Sequence, residues 1–308
     1  MNGLALFLCM TAGICWAGSG VAAQHFFQHS PLSAMDLTVF RMLATCAIMT
    51  IVTCAKGQWQ RNWKAMKAKP VLWAQFLFYG VVALMAMHYS YFEAIRLGNA
   101  AVVTVIQYTC PAIVICWIAL SERKWPEKGA ALAVVLAVGG TFLLVTGGRL
   151  DALSVPADCL AWAVFSAFTY ATAAVFPKHL SGTIDNSFLL AWGMLFGAIP
   201  SWLMVPDLNF LDFFHADLLI DLFVIVILGT AVAFICYNAG LSRLSADQAS
   251  ITTTVEPVAS VVMSYLLFGT VFNLVQAGGI AMIIAAIAMP SILGRKKEVQ
   301  MSRTAGAD

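Results

Sequence analysis

The sequence predicts an all-α membrane protein, with ten transmembrane helices arranged as two inverted five-helix repeats and both termini cytoplasmic. Three observations predict it. Ten apolar stretches cover nearly the whole chain, and each is close to the roughly 20 residues that a helix needs to cross a bilayer core. The chain is 61% hydrophobic and 10% charged, with mean hydropathy +0.86, whereas soluble domains carry roughly 25% charged residues. The second five stretches can also be written beneath the first five.

The stretches run near 3–24, 35–55, 71–92, 99–120, 127–147, 156–177, 187–205, 218–240, 247–268 and 273–293. In hydrocarbon every backbone polar group must be paired, so the segments are helices or a closed barrel. Runs of this length without polar alternation favour helices. The first stretch ends in Val21-Ala22-Ala23, which mimics a signal-peptide cleavage site. No Lys or Arg precedes it, however, and it has an internal counterpart, so it reads as a retained span. Between the second and third stretches, Trp59 and Trp63 interleave with Arg61, Lys64 and Lys67. This pattern predicts an amphipathic segment lying on the inner membrane surface.

Charge sets the orientation. With the N-terminus inside, 14 of the 17 Lys and Arg residues fall in inner loops or the C-terminal tail, as the positive-inside rule requires. The loop carrying Asp207, Asp212 and Asp217 has no Lys or Arg and falls outside. The net charge of +2 says nothing further about partners, and no basic patch has the spread that nucleic acid needs. The eight cysteines all lie in or beside apolar stretches, where they read as small buried hydrophobes.

The repeat is visible residue by residue. Tyr91 to Pro111 align without a gap on Tyr237 to Pro257. Earlier, Gly13-Ile14-Cys15-Trp16-Ala17 align on Ser166-Ala167-Phe168-Thr169-Tyr170, and the longer basic loop absorbs the change of offset. This divides the chain into residues 1–148, 154–294 and a cytoplasmic tail, 295–308. Because five spans is an odd number, the second repeat enters the membrane inverted, a recurring plan of secondary transporters. An inert membrane scaffold is the bland alternative.

Gly13-Ile14-Cys15-Trp16-Ala17-Gly18, Arg41, Glu93 through Ala101, Pro111, Leu120-Ser121-Glu122-Arg123, Val255-Glu256-Pro257-Val258 and Phe268-Gly269-Thr270 together resemble the EamA-type ten-helix members of the drug/metabolite transporter superfamily. The resemblance covers residues 1 to about 294. It implies transport of small metabolites, often outward, and the family includes amino-acid exporters. One departure is that members usually close the ninth span with Gly-Glu, whereas here Thr270 follows Gly269.

Ionisable residues inside the membrane are costly and default to functional roles. Glu256, mid-span in the ninth stretch, is the proton-coupling candidate and could equally attract a cationic group. Its repeat partner is the uncharged Cys110. His88 and Tyr91 share a face of the third span, and Thr104, Tyr108 and Pro111 share one of the fourth. The expected substrate-binding set is His88, Tyr91, Tyr108, Trp162, Tyr237 and Glu256, a mix of aromatic and polar groups suited to a pocket. Pro111 and Pro257 are expected to kink their helices and free carbonyls one turn earlier. Arg41, Glu93, Trp16 and Tyr170 are secondary candidates, and Arg41 and Glu93 could pair with each other or with a substrate. Arg96 is expected to be a solvated loop residue.

No phosphate-binding GxxxxGK[ST] loop occurs, and nothing calls for a metal or cofactor. Clustered acids or a Ser/Lys pair at mid-membrane depth, which an intramembrane enzyme would need, are absent, so an enzyme is not expected. The leading reading is a multi-pass cytoplasmic (inner) membrane transporter exporting amino acids or related small solutes. An importer of a quaternary amine such as choline is the alternative. The expected partners are a small-molecule substrate and the lipid bilayer. Gly139-Gly140 and Gly278-Gly279 could bring helices close within one subunit or in a homodimer.

Overall fold

A computed structural model describes residues 3–149, 153–179, 184–241, 243–244 and 252–305. Among these, every regular element is helical. The helices are α1 (Gly3–His29), α2 (Ala34–Ala55), α3 (Trp59–Ala68), α4 (Val71–Leu97), α5 (Ala100–Glu122), α6 (Lys128–Thr146), α7 (Ala157–Val175), α8 (Asn186–Leu203), α9 (Ala216–Gly240), α10 (Val255–Phe268) and α11 (Leu274–Ala305). Seven of them (α1, α2, α4, α5, α6, α7 and α9) are long and apolar enough to cross a membrane. α10 and the Leu274–Met289 part of α11 are shorter apolar helices. α8 spans 18 residues with Pro200 inside it.

Each predicted stretch falls on a helix, and the boundaries differ in instructive ways. α1 runs on to His29 and α4 to Leu97, because the polar residues at those ends are still sound helix formers. α11 continues through the expected tail to Ala305 for the same reason. Residues 247–251 of the ninth stretch, and the aligned positions Ala246 and Ser250, lie outside the described residues.

Local sequence fixes several of these ends. Ser33 caps α2, and Asp36 reaches back to the Ser33 amide, so two orphan donors are satisfied reciprocally. The Asn99 side chain accepts from the Val102 amide and starts α5. α4 and α9 share a rarer feature: each contains a π-helical segment, Tyr79–Met85 in one and Phe223–Val232 in the other. The repeat offset carries the first segment onto the second. At Gly80 the π segment of α4 lies so close to α8 that an added Cβ would sit 2.9 Å from the Phe196 Cβ and 3.0 Å from the Gly197 nitrogen.

The two halves interleave in a two-fold pattern. Equivalent helices pack on each other: α2 on α8, α5 on α10 and α6 on α11. Further cross-contacts come in matched pairs: α4 with α7 and α9 with α1, α5 with α7 and α10 with α1, α4 with α8 and α9 with α2. Gly140 of α6 and Gly279 of α11 meet within the chain. A Cβ on Gly279 would lie 2.5 Å from the Gly140 oxygen, so backbone meets backbone there.

Within the halves the pattern is not symmetric. In the first half α4 packs against α1 and α2, and α5 against α1. The equivalent pairs, α9 with α7 or α8 and α10 with α7, touch at most slightly among the described residues. The tightened end is the expected outer face. There Gln24 Oε1 accepts from the Ala100 amide at 2.8 Å, and His25 Nδ1 lies 2.8 Å from Asp221 Oδ2. Phe213, from the segment between α8 and α9, is fully buried, with its ring 4.4 Å from Phe40 and 6.0 Å from Phe26.

The expected surface anchor is corrected. α3 turns its tryptophans onto the second half of the chain. The Trp63 ring stacks 5.3 Å from Trp192, and Trp59 meets Phe188 at 5.2 Å. Asn62 Oδ1 accepts from the Asp185 amide at 2.9 Å, and Lys56 donates to Ser187 Oγ at 3.0 Å. Trp192 and Phe188 share a face of α8, and the α3 tryptophans pack on that aromatic surface.

Candidate functional site

The site forms where α5 and α10 break. α5 is interrupted at Tyr108 and Thr109, just ahead of Pro111. α10 begins after a turn at Thr254, three residues ahead of Pro257. Tyr108 and Thr254 are equivalent under the repeat, so the two breaks correspond. A proline cannot donate to the carbonyl four residues back, which for Pro257 is Thr253. That carbonyl lies 3.3 Å from the Tyr108 hydroxyl.

Glu256 is buried on the first turn of α10. The Tyr108 hydroxyl donates to its Oε2 at 2.5 Å. The Tyr170 ring of α7 is 6.3 Å from that of Tyr108 and within electrostatic range of Glu256. α1 closes the site from behind: a Cβ on Gly13 would meet Val255 Cγ1 at 2.7 Å and the Glu256 nitrogen at 3.4 Å. The symmetric counterpart is polar, with Gln107 Nε2 donating to Ser166 Oγ at 3.4 Å.

A hydroxyl chain runs alongside. Tyr91 Oη and Thr104 Oγ1 are 2.8 Å apart, and Ser260 Oγ donates to the same Thr104 oxygen at 3.4 Å. Ser260 lies one turn beyond Glu256, so α10 presents both to the first half of the chain. α1 can pass only because residue 20 is glycine: a Cβ there would collide with the Tyr91 hydroxyl.

Arg41, on α2, completes the cluster. Its guanidinium carbon is 5.4 Å from the centroid of Phe92. Its Nε is buried with no hydrogen-bond partner. Its charge acts on Tyr91, His88 and Glu256. His88 is buried and spends Nδ1 on the Leu84 carbonyl at 2.7 Å.

The structure therefore brings Glu256, Tyr108, Tyr170, Tyr91, His88 and Arg41 together. Trp16 and Tyr237 form a second aromatic group with Phe234, with the Trp16 and Tyr237 rings 5.5 Å apart. Trp162 stands apart. It is eight residues from Tyr170 on α7, about 12 Å along the axis, and packs on Tyr89 at 5.3 Å. Glu93 does not pair with Arg41: it binds Arg96 through both of its oxygens, at 2.9 and 2.5 Å. Those two residues are one turn apart on α4 and need no tertiary contact to meet. Arg96 is thus a helical, ion-paired residue, not a free loop cation.

Three features escaped sequence reasoning. Ser260 sits in a run of small residues that looks like ordinary helix packing. The His25–Asp221 pair and the Phe213 plug join positions nearly 200 residues apart. Only the repeat offset could have drawn attention to such places, and it is silent where partners differ in chemistry.

The architecture defines a class: a multi-pass membrane protein of interleaved half-bundles that encloses ionisable groups at helix breaks, a plan found among membrane transporters. Comparison with known proteins then gives the family. The EamA-like transporter family matches residues 3–146 and 158–292, and the chain belongs to that family, within the drug/metabolite transporter superfamily. It is 28% identical over 289 residues to a protein of Salmonella typhimurium (strain LT2) described as the uncharacterized inner membrane transporter YicL, covering 94% of this chain and 95% of that one. An Archaeoglobus fulgidus protein described as an uncharacterized transporter is 24% identical over 211 residues, covering 64% of this chain and 69% of the other. A solved crystal structure 17% identical in sequence superposes with a TM-score of 0.63, covering 96% of this chain and 98% of that chain, and shows the fold alone. The protein is a membrane transporter, multi-pass in the inner membrane.

Proposed function

We propose that the protein is a secondary transporter that exports amino acids or related small solutes by alternating access. In this reading all ten apolar helices cross the membrane as two inverted repeats, 1–148 and 154–294, with both termini cytoplasmic. The observation that carries it is the mismatch between symmetric contacts across the halves and asymmetric contacts within them. Inverted repeats that exchange their internal packing move the opening from one face to the other. In this reading the contacts of Gln24, His25 and Phe213 would form the outer seal of the cycle.

The substrate would sit among Glu256, Tyr108, Tyr91, His88 and Arg41, with Trp16 and Tyr237 on the cytoplasmic approach. The presence of Arg41 beside the aromatic groups supports a solute carrying both charges over a purely cationic one. A quaternary amine would meet an uncompensated guanidinium.

Counterflow uptake into proteoliposomes tests the reading. The panel is labelled amino acids and choline, each at two pH values. Saturable uptake of an amino acid class is expected. Uptake restricted to choline would replace the reading with the amine importer.

A further inference from the structure

We infer that Arg41 is the carboxylate-binding residue of the central site, so that Arg41 and Glu256 together select a zwitterion. The inference rests on the functional reading above and names the residue that holds the acid end of the solute. Seven residues into α2, Arg41 lies about 10 Å below the helix start, at a depth where an uncompensated cation is costly. Such residues are normally paired. Yet Glu256, the acid within electrostatic range of it, is bonded to the Tyr108 hydroxyl, and Glu93 is paired with Arg96.

Among the described residues Arg41 makes neither an ion pair nor a hydrogen bond. What it has is the Phe92 ring, which supports a guanidinium through its face and leaves the N–H edge free. A planar fork with free N–H groups fits a carboxylate through two parallel hydrogen bonds. Glu256, held by one hydroxyl, is the matching pole for an ammonium group. His88, spending one ring nitrogen on Leu84, adds no counter-charge.

The test compares three competitors of labelled uptake in proteoliposomes of the full chain: the transported amino acid, its methyl ester and the corresponding amine without a carboxyl group. Wild-type protein should bind the free acid about 10- to 100-fold more tightly than the ester or the amine. Arg41→Gln should lose that margin, weakening the free acid while ester and amine bind as well as before or better, whereas Arg41→Lys should keep part of it. A purely structural arginine would weaken all three alike in Arg41→Gln, and that result overturns the inference. So does a wild type that binds ester and acid equally, a comparison that needs no variant to fold. Wild-type protein that carries no amino acid at all removes the functional reading and this inference with it. Amino-acid transport with no preference for the free acid removes the inference alone.

Discussion

The Tyr108 hydroxyl donates to Glu256 Oε2 at 2.5 Å and so ties α5 to α10, the equivalent helices of the two halves, at their matching breaks. The bond is the natural point at which a proton or a substrate ammonium would compete with protein for the carboxyl group. Glu256→Gln keeps the shape and removes the charge. Transport by this variant is expected to lose its pH dependence. Tyr108→Phe keeps the carboxyl but leaves it without its donor. It should retain pH dependence and transport about 10- to 100-fold more slowly at saturating substrate, the range for a hydrogen bond to a charged partner. Initial rates across a pH series check both, and an unchanged profile in Glu256→Gln would remove the acid from coupling.

Phe213→Ala should unseal the outer face. Its ring is fully buried between Phe26 and Phe40, and truncating such a ring costs about 3–5 kcal/mol. Alternating access would part this packing, so the cost would fall on the arrangement closed at that face. In a variant that keeps only Cys110, which is buried beside Glu256, labelling by a membrane-impermeant maleimide from the outer side should rise several-fold. No rise would mean that the barrier lies elsewhere.

The contact between α6 and α11 makes a paired stability test. Gly279 has no room: a Cβ would lie 2.5 Å from the Gly140 oxygen and 2.7 Å from the Leu144 nitrogen. Gly279→Val should therefore force the helices apart and lower thermal stability by about 1–3 kcal/mol. Its neighbour Gly278 has nothing within 4 Å of an added Cβ, so Gly278→Ala should leave the melting temperature level or slightly raised. Melting in detergent measures both. Equal effects at the two sites would contradict the packing.

Asp185 and Lys56 are ion-paired at 3.7 Å, but they should not be equivalent. Asp185 also caps α8, accepting from the Ser187 amide at 2.9 Å. Asp185→Ala should therefore cost about 1 kcal/mol from the cap alone. Lys56→Met removes a partly exposed pair, worth roughly 0–1 kcal/mol, and a hydrogen bond from the same exposed ammonium to Ser187 Oγ. Thermal melts that rank Lys56→Met as the more damaging change would show that the pair, and not the cap, holds this end.

Much of the architecture was legible because hydrophobic length is a strong signal. The ten stretches needed only counting, and Tyr91 over Tyr237 with Pro111 over Pro257 exposed the repeat. Glu256 and Tyr108 could be singled out as unusual in an apolar setting. Their bond could not, because nothing in either span says which face meets the other. Arg41 and Glu93 show the limit from the other side. Two opposite charges suggested a pair, but Arg96, one helical turn from Glu93, was closer in space than any reading of separate spans could weigh. Trp59 and Trp63 looked like lipid anchors for the same reason: their partner, Trp192, is remote in sequence.

The two π segments occupy the same place in each half, Tyr79–Met85 and Phe223–Val232. A π turn carries more residues than the 3.6 of an α turn, so each third helix stores a little surplus chain. Winding that surplus into α geometry would swivel the portion bearing Tyr91, or Tyr237, by up to about 100°, and no helix would need to unfold. Amide hydrogen exchange faster in both segments than in the flanking turns would reveal the motion; equal protection would argue for a fixed joint. Held in duplicate, the surplus would make the molecule a pair of opposed torsion joints, one half tightening as the other relaxes.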